Sequence, residues 1–124
     1  MKNIWGNIIS LPDSTKIGEF CDIGDPNIGE NCKIQCHVSI PPGWDIGNNV
    51  FIGPGVRFAN DTHPDLKEEF TPEIGVVEDD VVIGIGAIIL SCKLGKGCII
   101  GAGAVVLKDC EAGKTYVGNP AHEI

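Results

Sequence analysis

The hydrophobic positions of this chain recur at neither helical nor simple strand spacing. From Val82 to Val106 the sequence reads VIGIGAIILSCKLGKGCIIGAGAVV, with an aliphatic residue followed by Gly at Ile83-Gly84, Leu94-Gly95 and Ile100-Gly101. Four places after each of these aliphatics stands a small residue: Ala87, Cys98 and Ala104. An amphipathic helix needs apolar residues three and four apart, and a half-buried strand needs them two apart. A recurrence of about six matches neither and predicts a solenoid, in which each unit supplies one short strand and one corner.

The same units run upstream through Ile17-Gly18, Ile23-Gly24, Ile28-Gly29, Ile34, Ile40, Ile46-Gly47, Ile52-Gly53 and Phe58. Their small or branched partners are Cys21, Cys32, Val38, Val50 and Val56, with Trp44 oversized for its slot. Two steps are one residue short, Ile23 to Ile28 and Ile89 to Leu94, and Pro26 marks an adjusted corner in the first. Three units of six close a triangular coil, about 18 residues round, and coils stack at about 4.8 Å through parallel backbone pairing. The expected fold is an all-β parallel β-helix with about six coils, forming one domain over residues 1–124. Asn48-Asn49 suits a corner that needs left-handed backbone angles. Trp5, Ile8, Ile9 and Leu11 are apolar enough to cap the open first coil.

The pattern breaks at Ala59 to Val76, ANDTHPDLKEEFTPEIGV, which is polar and does not repeat. A solenoid can eject such a segment, about 59–76, without disturbing its core, and ejected loops often form the binding face. This one holds Asn60, Asp61 and His63 together. Repeats resume near Val77, and after Val106 too little chain is left for a long C-terminal helix.

Composition adds limits. With 17 Gly and 8 Pro among 124 residues, turns are favoured over helices. No apolar run approaches the roughly 20 residues of a membrane span. No basic segment precedes an apolar one at the start, so the expected location is the cytoplasm. A net charge of -8 disfavours nucleic acid as a partner. The acids are concentrated in residues 1–80, which hold 14 acids against five Lys and Arg, whereas residues 81–124 hold three acids against four Lys. Lys93, Lys96, Lys108 and Lys114 therefore mark where a phosphate-bearing ligand would be least repelled, or else a solvated lysine surface. Of the six cysteines, Cys21, Cys32, Cys98 and Cys110 occupy the small apolar slot, and Cys32 and Cys36 have no second close pair to complete a zinc site. They read as reduced, buried thiols, and no metal is expected.

The repeat resembles that of the hexapeptide-repeat acyltransferases, [LIV]-G-x-x-[small]-x, over nearly the whole chain from Ile17 onward. The resemblance is most specific at IGAGAVVLKD (100–109) and VGNPA (117–121). It implies a left-handed β-helix, acetyl-CoA as co-substrate and a homotrimer. Residues 33–76 look most like the nucleotide-sugar N-acetyltransferases. KIQCHVSI resembles their IQNNVS, VFIGPGVRFAND resembles VFxGPxxxFTND, and KEEFTP resembles DEFRPT. Thr62-His63-Pro64 also resembles the THP of maltose and galactoside O-acetyltransferases.

The resemblance implies acetyl transfer to an amino group on a nucleotide-linked sugar, with O-acetylation of a sugar hydroxyl as the alternative. Catalytic roles fall to His63 and Asn60, and acceptor binding to Asn60 and Asp61. Histidine titrates in the range a general base needs, and an amide or carboxylate can orient an amine. The pantetheine arm would lie along Gly84, Ile85, Ala102 and Ala104, with Lys108 and Pro120 towards the nucleotide. His122 stands where the family usually carries Arg or Lys, which leaves phosphate contact to Lys108 or Lys114. His37 reads as a corner or interface residue. A zinc hydratase with this fold would need three converging histidines, and the chain has only His37, His63 and His122. A non-catalytic subunit with this fold would lack CoA binding.

Overall fold

The computed structural model describes residues 10–24 and 26–124. Trp5, Ile8 and Ile9 lie outside the described residues, whereas Leu11 packs against the first coil. In chain order the strands are β1 (Lys16–Ile17), β2 (Asp22–Ile23), β3 (Asn27–Ile28), β4 (Lys33–Ile34), β5 (Ser39–Ile40), β6 (Trp44–Ile46), β7 (Phe51–Ile52) and β8 (Arg57–Phe58). After the loop follow β9 (Gly75–Val77), β10 (Val82–Ile83), β11 (Ile88–Ile89), β12 (Lys93–Leu94), β13 (Ile99–Ile100), β14 (Val105–Val106), β15 (Thr115–Val117) and β16 (His122–Glu123).

These strands stack into three flat faces. The first is β1-β4-β7-β10-β13-β15-β16, the second β2-β5-β8-β11-β14 and the third β3-β6-β9-β12. The result is a left-handed parallel β-helix with about six turns. No helix occurs among the described residues.

Each two-residue strand from β1 to β14 points its first side chain outward and its second inward. Phe51 is 37% exposed while Ile52 is fully buried. Stacking in register then aligns Ile17, Ile34, Ile52, Ile83 and Ile100 in one inward column. The partners four places later, Cys32, Val38, Val50, Val56, Val81, Ala87, Cys98 and Ala104, are all buried at 1% exposure or less.

The six-residue step is kept at two of the three corners. Between the first and second faces, the aliphatic of one strand lies six residues before that of the next in every coil, from Ile17 and Ile23 to Ile100 and Val106. The left-handed position there is filled by Phe20, His37, Gly55, Gly86 and Gly103, with φ between 60° and 71°. The corner between the third and first faces places Asn31, Asn49, Asp80, Gly97 and Gly113 likewise. His37 is thus a corner residue, stacked on Phe20 with ring centroids 5.3 Å apart. All departures from the step fall at the third corner, between the second and third faces. Both short steps lie there, and so does the ejected loop.

Trp44 occupies its small-residue slot at 2% exposure, edge-on to Phe58 at 4.7 Å. The coil below makes room for it. Gly75 lies so close that a methyl group on it would sit 2.6 Å from the indole ring. All six cysteines are free, and Cys32, Cys92, Cys98 and Cys110 are buried. Burial, then the neighbouring Cys110, pushes the Cys92 and Cys98 thiols up to about 12. Burial, then Asp109, pushes Cys110 up to about 11. At the C-terminal end β15 pairs with β13, and β16 folds back antiparallel on β15.

Two outcomes are expected. Gly75→Ala should lower unfolding free energy by about 1–3 kcal/mol in urea titration, since the indole cannot retreat. The loss should shrink when Trp44 is also cut back to Phe. The raised thiols leave stability intact below pH 9. It should then fall as pH rises towards 11 and 12, because unfolded thiols ionise near 9.0 while the buried ones hold their protons. Urea midpoints between pH 8 and 10 should drop less steeply in a Cys92→Ala/Cys98→Ala variant than in the native chain.

Candidate functional site

The irregular corner builds the candidate site. After Phe58 the chain leaves the coil at Ala59, whose carbonyl accepts from the Trp44 indole N–H at 2.9 Å and from the Ser91 hydroxyl at 3.2 Å. Asn60 then closes the loop at its base. Its side-chain amide donates to the Pro42 carbonyl at 2.9 Å, and its own carbonyl accepts from the Glu73 N–H at 2.8 Å. The returning strand approaches Gly43, which has φ +102° and whose missing Cβ would sit 2.3 Å from the Glu73 carbonyl oxygen. A side chain at 43 would force the loop base apart. Asn60 is therefore tied into the scaffold through its amide nitrogen.

Above the base, the Glu73 carboxylate collects donors. The Thr62 N–H reaches Oε1 at 2.6 Å, the Thr62 hydroxyl reaches Oε2 at 3.1 Å, and the Ser91 hydroxyl, whose one proton is shared with the Ala59 carbonyl, lies 3.2 Å from Oε1. Hydrogen bonding from the Thr62 amide chiefly holds this carboxyl below its ordinary range, against a smaller desolvation effect, with the two hydroxyls and His63 adding to it. His63 Nδ1 lies 3.1 Å from the Thr62 hydroxyl oxygen, and the His63 N–H reaches Asp61 Oδ1 at 3.3 Å. The imidazole is exposed and faces an open cleft of about 340 Å³, lined also by Asp61, Asp65, Glu68, Glu69, Phe70 and Thr71. Asp61 and His63 are thus brought together, with Asn60 beneath them. Glu73, Thr62 and Ser91 were not foreseen. None of them follows a repeat, and their grouping depends on where the loop returns.

The residues expected along a pantetheine arm divide between two edges of the second face. Ile85 and Ala102 sit at the regular corner between the first and second faces, both exposed. Gly103 N–H bonds the Ile85 carbonyl at 2.8 Å, but among the described residues nothing pairs with the amides of Ile85 and Ala102. Gly84 is half-buried, its N–H bonded to Ile100 at 2.8 Å. Ala104 is wholly buried, its N–H bonded to Gly101 at 3.2 Å and its carbonyl to Ile88 at 2.9 Å.

Lys108 and Pro120 lie at the opposite edge. They line a cleft of about 530 Å³ with Leu107, Asn119, Ala121 and His122. The tail is docked there by two bonds to Val105, one from its N–H to Gly118 at 2.9 Å and one to its carbonyl from Ala121 at 2.8 Å. Lys114 is drawn to Glu123 at 3.7 Å instead. His37 stands at a corner, His63 in the ejected loop and His122 in β16, and among the described residues no three metal-ligating side chains are grouped to hold an ion. No helix among the described residues is long and apolar enough to cross a membrane.

Comparison with known proteins agrees with this architecture. Residues 25–60 match the family described as bacterial transferase hexapeptide (six repeats). A protein of Schizosaccharomyces pombe named as an acetyltransferase is 45% identical over 85 residues, or 64% of this chain. The chain spans 41% of that relative's length. A hexapeptide-repeat acetyltransferase of Vibrio cholerae, solved with acetyl coenzyme A, superposes with a TM-score of 0.76 at 26% identity, over 89% of this chain and 66% of that one. The N-acyltransferase AntD of Bacillus cereus, solved with dTDP-4-amino-4,6-dideoxyglucose and coenzyme A, shares the fold with a TM-score of 0.81 at 21% identity, over 96% of this chain and 73% of that one. The repeat that matches, the three-faced coil it builds and these relatives agree: the chain is built of hexapeptide repeats and is similar to the hexapeptide-repeat acetyltransferases.

Proposed function

We propose that this chain transfers an acetyl group from acetyl-CoA to an amino group, with a nucleotide-linked amino sugar as the acceptor. The observation that carries the reading is the ejected loop, which holds an exposed His63 in a cleft beside the coil. Its finer part, the nucleotide sugar, rests on the likeness of residues 33–76 to that subgroup. AntD, which shares the fold, was solved with such a ligand.

In the proposed reaction the acceptor ammonium first gives up one proton to solvent, and the neutral amine attacks the thioester carbonyl while His63 takes a second proton from the nitrogen as the N–C bond forms. The tetrahedral intermediate collapses with cleavage of the C–S bond, and the protonated imidazole returns that proton to the departing CoA thiolate. Asp61 lies at the mouth of the cleft to orient the acceptor. Asp65, Glu68 and Glu69 give the cleft a negative field, which draws in a cationic amine more than a neutral hydroxyl. A diphosphate would lie away from this lip.

The unpaired amides of Ile85 and Ala102 suit the pantetheine, and Lys108 with Pro120 suits the nucleotide end. The loop and these two amides flank opposite edges of the second face, so one chain does not bring them together. A homotrimer would place the loop edge of one copy against the amide edge of the next. The outward ladder Phe51, Val82 and Ile99 on the first face, each 37–46% exposed, supplies apolar surface for such packing.

Calorimetric titration with acetyl-CoA should give saturable binding, and mass spectrometry should detect an acetylated amino sugar nucleotide. His63→Ala should lower kcat by about 10²- to 10⁴-fold while leaving acetyl-CoA affinity within about twofold. Full activity of His63→Ala on an amine acceptor would remove the histidine from the mechanism. Activity confined to hydroxyl acceptors would move the assignment to O-acetylation.

A further inference from the structure

Glu73 is not part of the reaction described above, yet the Thr62 N–H and hydroxyl both donate to its carboxylate, and the chain of contacts leads on to His63. The Thr62 hydroxyl has one proton and lies between two groups, Glu73 Oε2 at 3.1 Å and His63 Nδ1 at 3.1 Å. A carboxylate only accepts, so the hydroxyl must donate to Glu73. Its oxygen is then left to accept, and the group facing it is the imidazole. The His63 proton therefore sits on Nδ1, and Nε2 carries the lone pair.

We propose that Glu73 is a positioning residue that acts through the Thr62 hydroxyl to hold His63 as the Nδ1–H tautomer, leaving Nε2 free to accept a proton. The histidine's immediate neighbour gives no such control, because Asp61 receives the backbone N–H of His63 and not its ring. The other carboxylates round the cleft, Asp65, Glu68 and Glu69, share its lining without a hydrogen bond to the imidazole. Ser91 completes the device from the next coil. Its hydroxyl, 3.2 Å from Glu73 Oε1 with its one proton shared with the Ala59 carbonyl, ties the carboxylate to the scaffold and not merely to the loop. The inference rests on His63 being the base of the proposed transfer, but the ring form it assigns exists with or without turnover.

Glu73→Gln gives a sharp test. The Thr62 N–H needs an acceptor at the Oε1 position, so the new side chain should present its oxygen there and its NH2 towards the Thr62 hydroxyl. That NH2 donates, the hydroxyl turns its proton to His63 Nδ1, and the ring changes to the Nε2–H tautomer. The nitrogen shifts of ¹⁵N-labelled His63, read by NMR at a pH where the ring is neutral, distinguish the two forms without substrate. The expected result is Nδ1–H in the native chain and Nε2–H in Glu73→Gln. The kinetic counterpart is a fall in kcat approaching that of His63→Ala, with KM for acetyl-CoA within about twofold.

A native ring protonated on Nε2, or one that Glu73→Gln leaves unchanged, overturns the proposal. Should Glu73→Gln fail to fold, Thr62→Val removes the relay and keeps the carboxylate. The Nδ1–H form should then lose its predominance and return in Thr62→Ser, and persistence of Nδ1–H in Thr62→Val overturns the proposal equally. If the shifts behave as expected while His63→Ala keeps full activity, the tautomer control stands and the reading of His63 as base falls.

Discussion

The molecule depends on backbone pairing between successive turns. Each turn donates N–H groups to the carbonyls of the next, as when Gly18 bonds Ile34, Gln35 bonds Ile52, Gly53 bonds Ile83 and Gly84 bonds Ile100, at 2.7–3.0 Å. Such pairing requires flat faces and equal step lengths, because a residue gained in one strand would swing its inward side chain outward. The inward columns can then be filled by nothing larger or more polar than the prism allows. Isoleucine fills most strand positions and Cys, Val or Ala the turns. The repeat in the sequence is the imprint of that requirement.

Two corners obey it strictly and the third does not, and this division separates scaffold from site. A corner that must keep an exact step cannot also vary its length. All the length variation is therefore pushed to the edge between the second and third faces, where the step from Ile40 to Ile46 keeps six residues but those from Ile23 and Ile89 are one short and that from Phe58 opens into the loop. The consequences accumulate there: the Trp44 indole and Ser91 share the Ala59 carbonyl, Asn60 holds Pro42, and Glu73 returns beside Gly43. The loop base is thereby as firmly hydrogen-bonded as the coil, while its tip from His63 to Pro72 is exposed.

What could be read in the sequence follows the same division. The coil was legible residue by residue, since every inward aliphatic from Ile34 to Val106 is buried and Asn49 has the left-handed angles its corner required. Trp44 was legible as oversized, but its accommodation was not, because Gly75 lies 31 residues away across the loop. His63 and Asp61 stood out as adjacent polar residues in a break. Glu73, Thr62 and Ser91 did not, since their meeting depends on the return path of a segment with no period. Ala104 fitted the repeat so well that its place is the core, and its exposed neighbour Ala102 presents the open amide instead.

The reversed last strand has a bearing on how copies of the chain meet end to end. A stack of parallel turns exposes at its final rung a row of backbone groups that another chain's first rung could continue, and repetition would give a filament. Here β16 lies antiparallel across β15, so the terminal edge of the longest face runs in the opposite sense to the turns above it. A further copy arriving in the polarity of the coil finds no matching ladder. The parallel ladder of the longest face is thereby closed off by a strand of opposite sense.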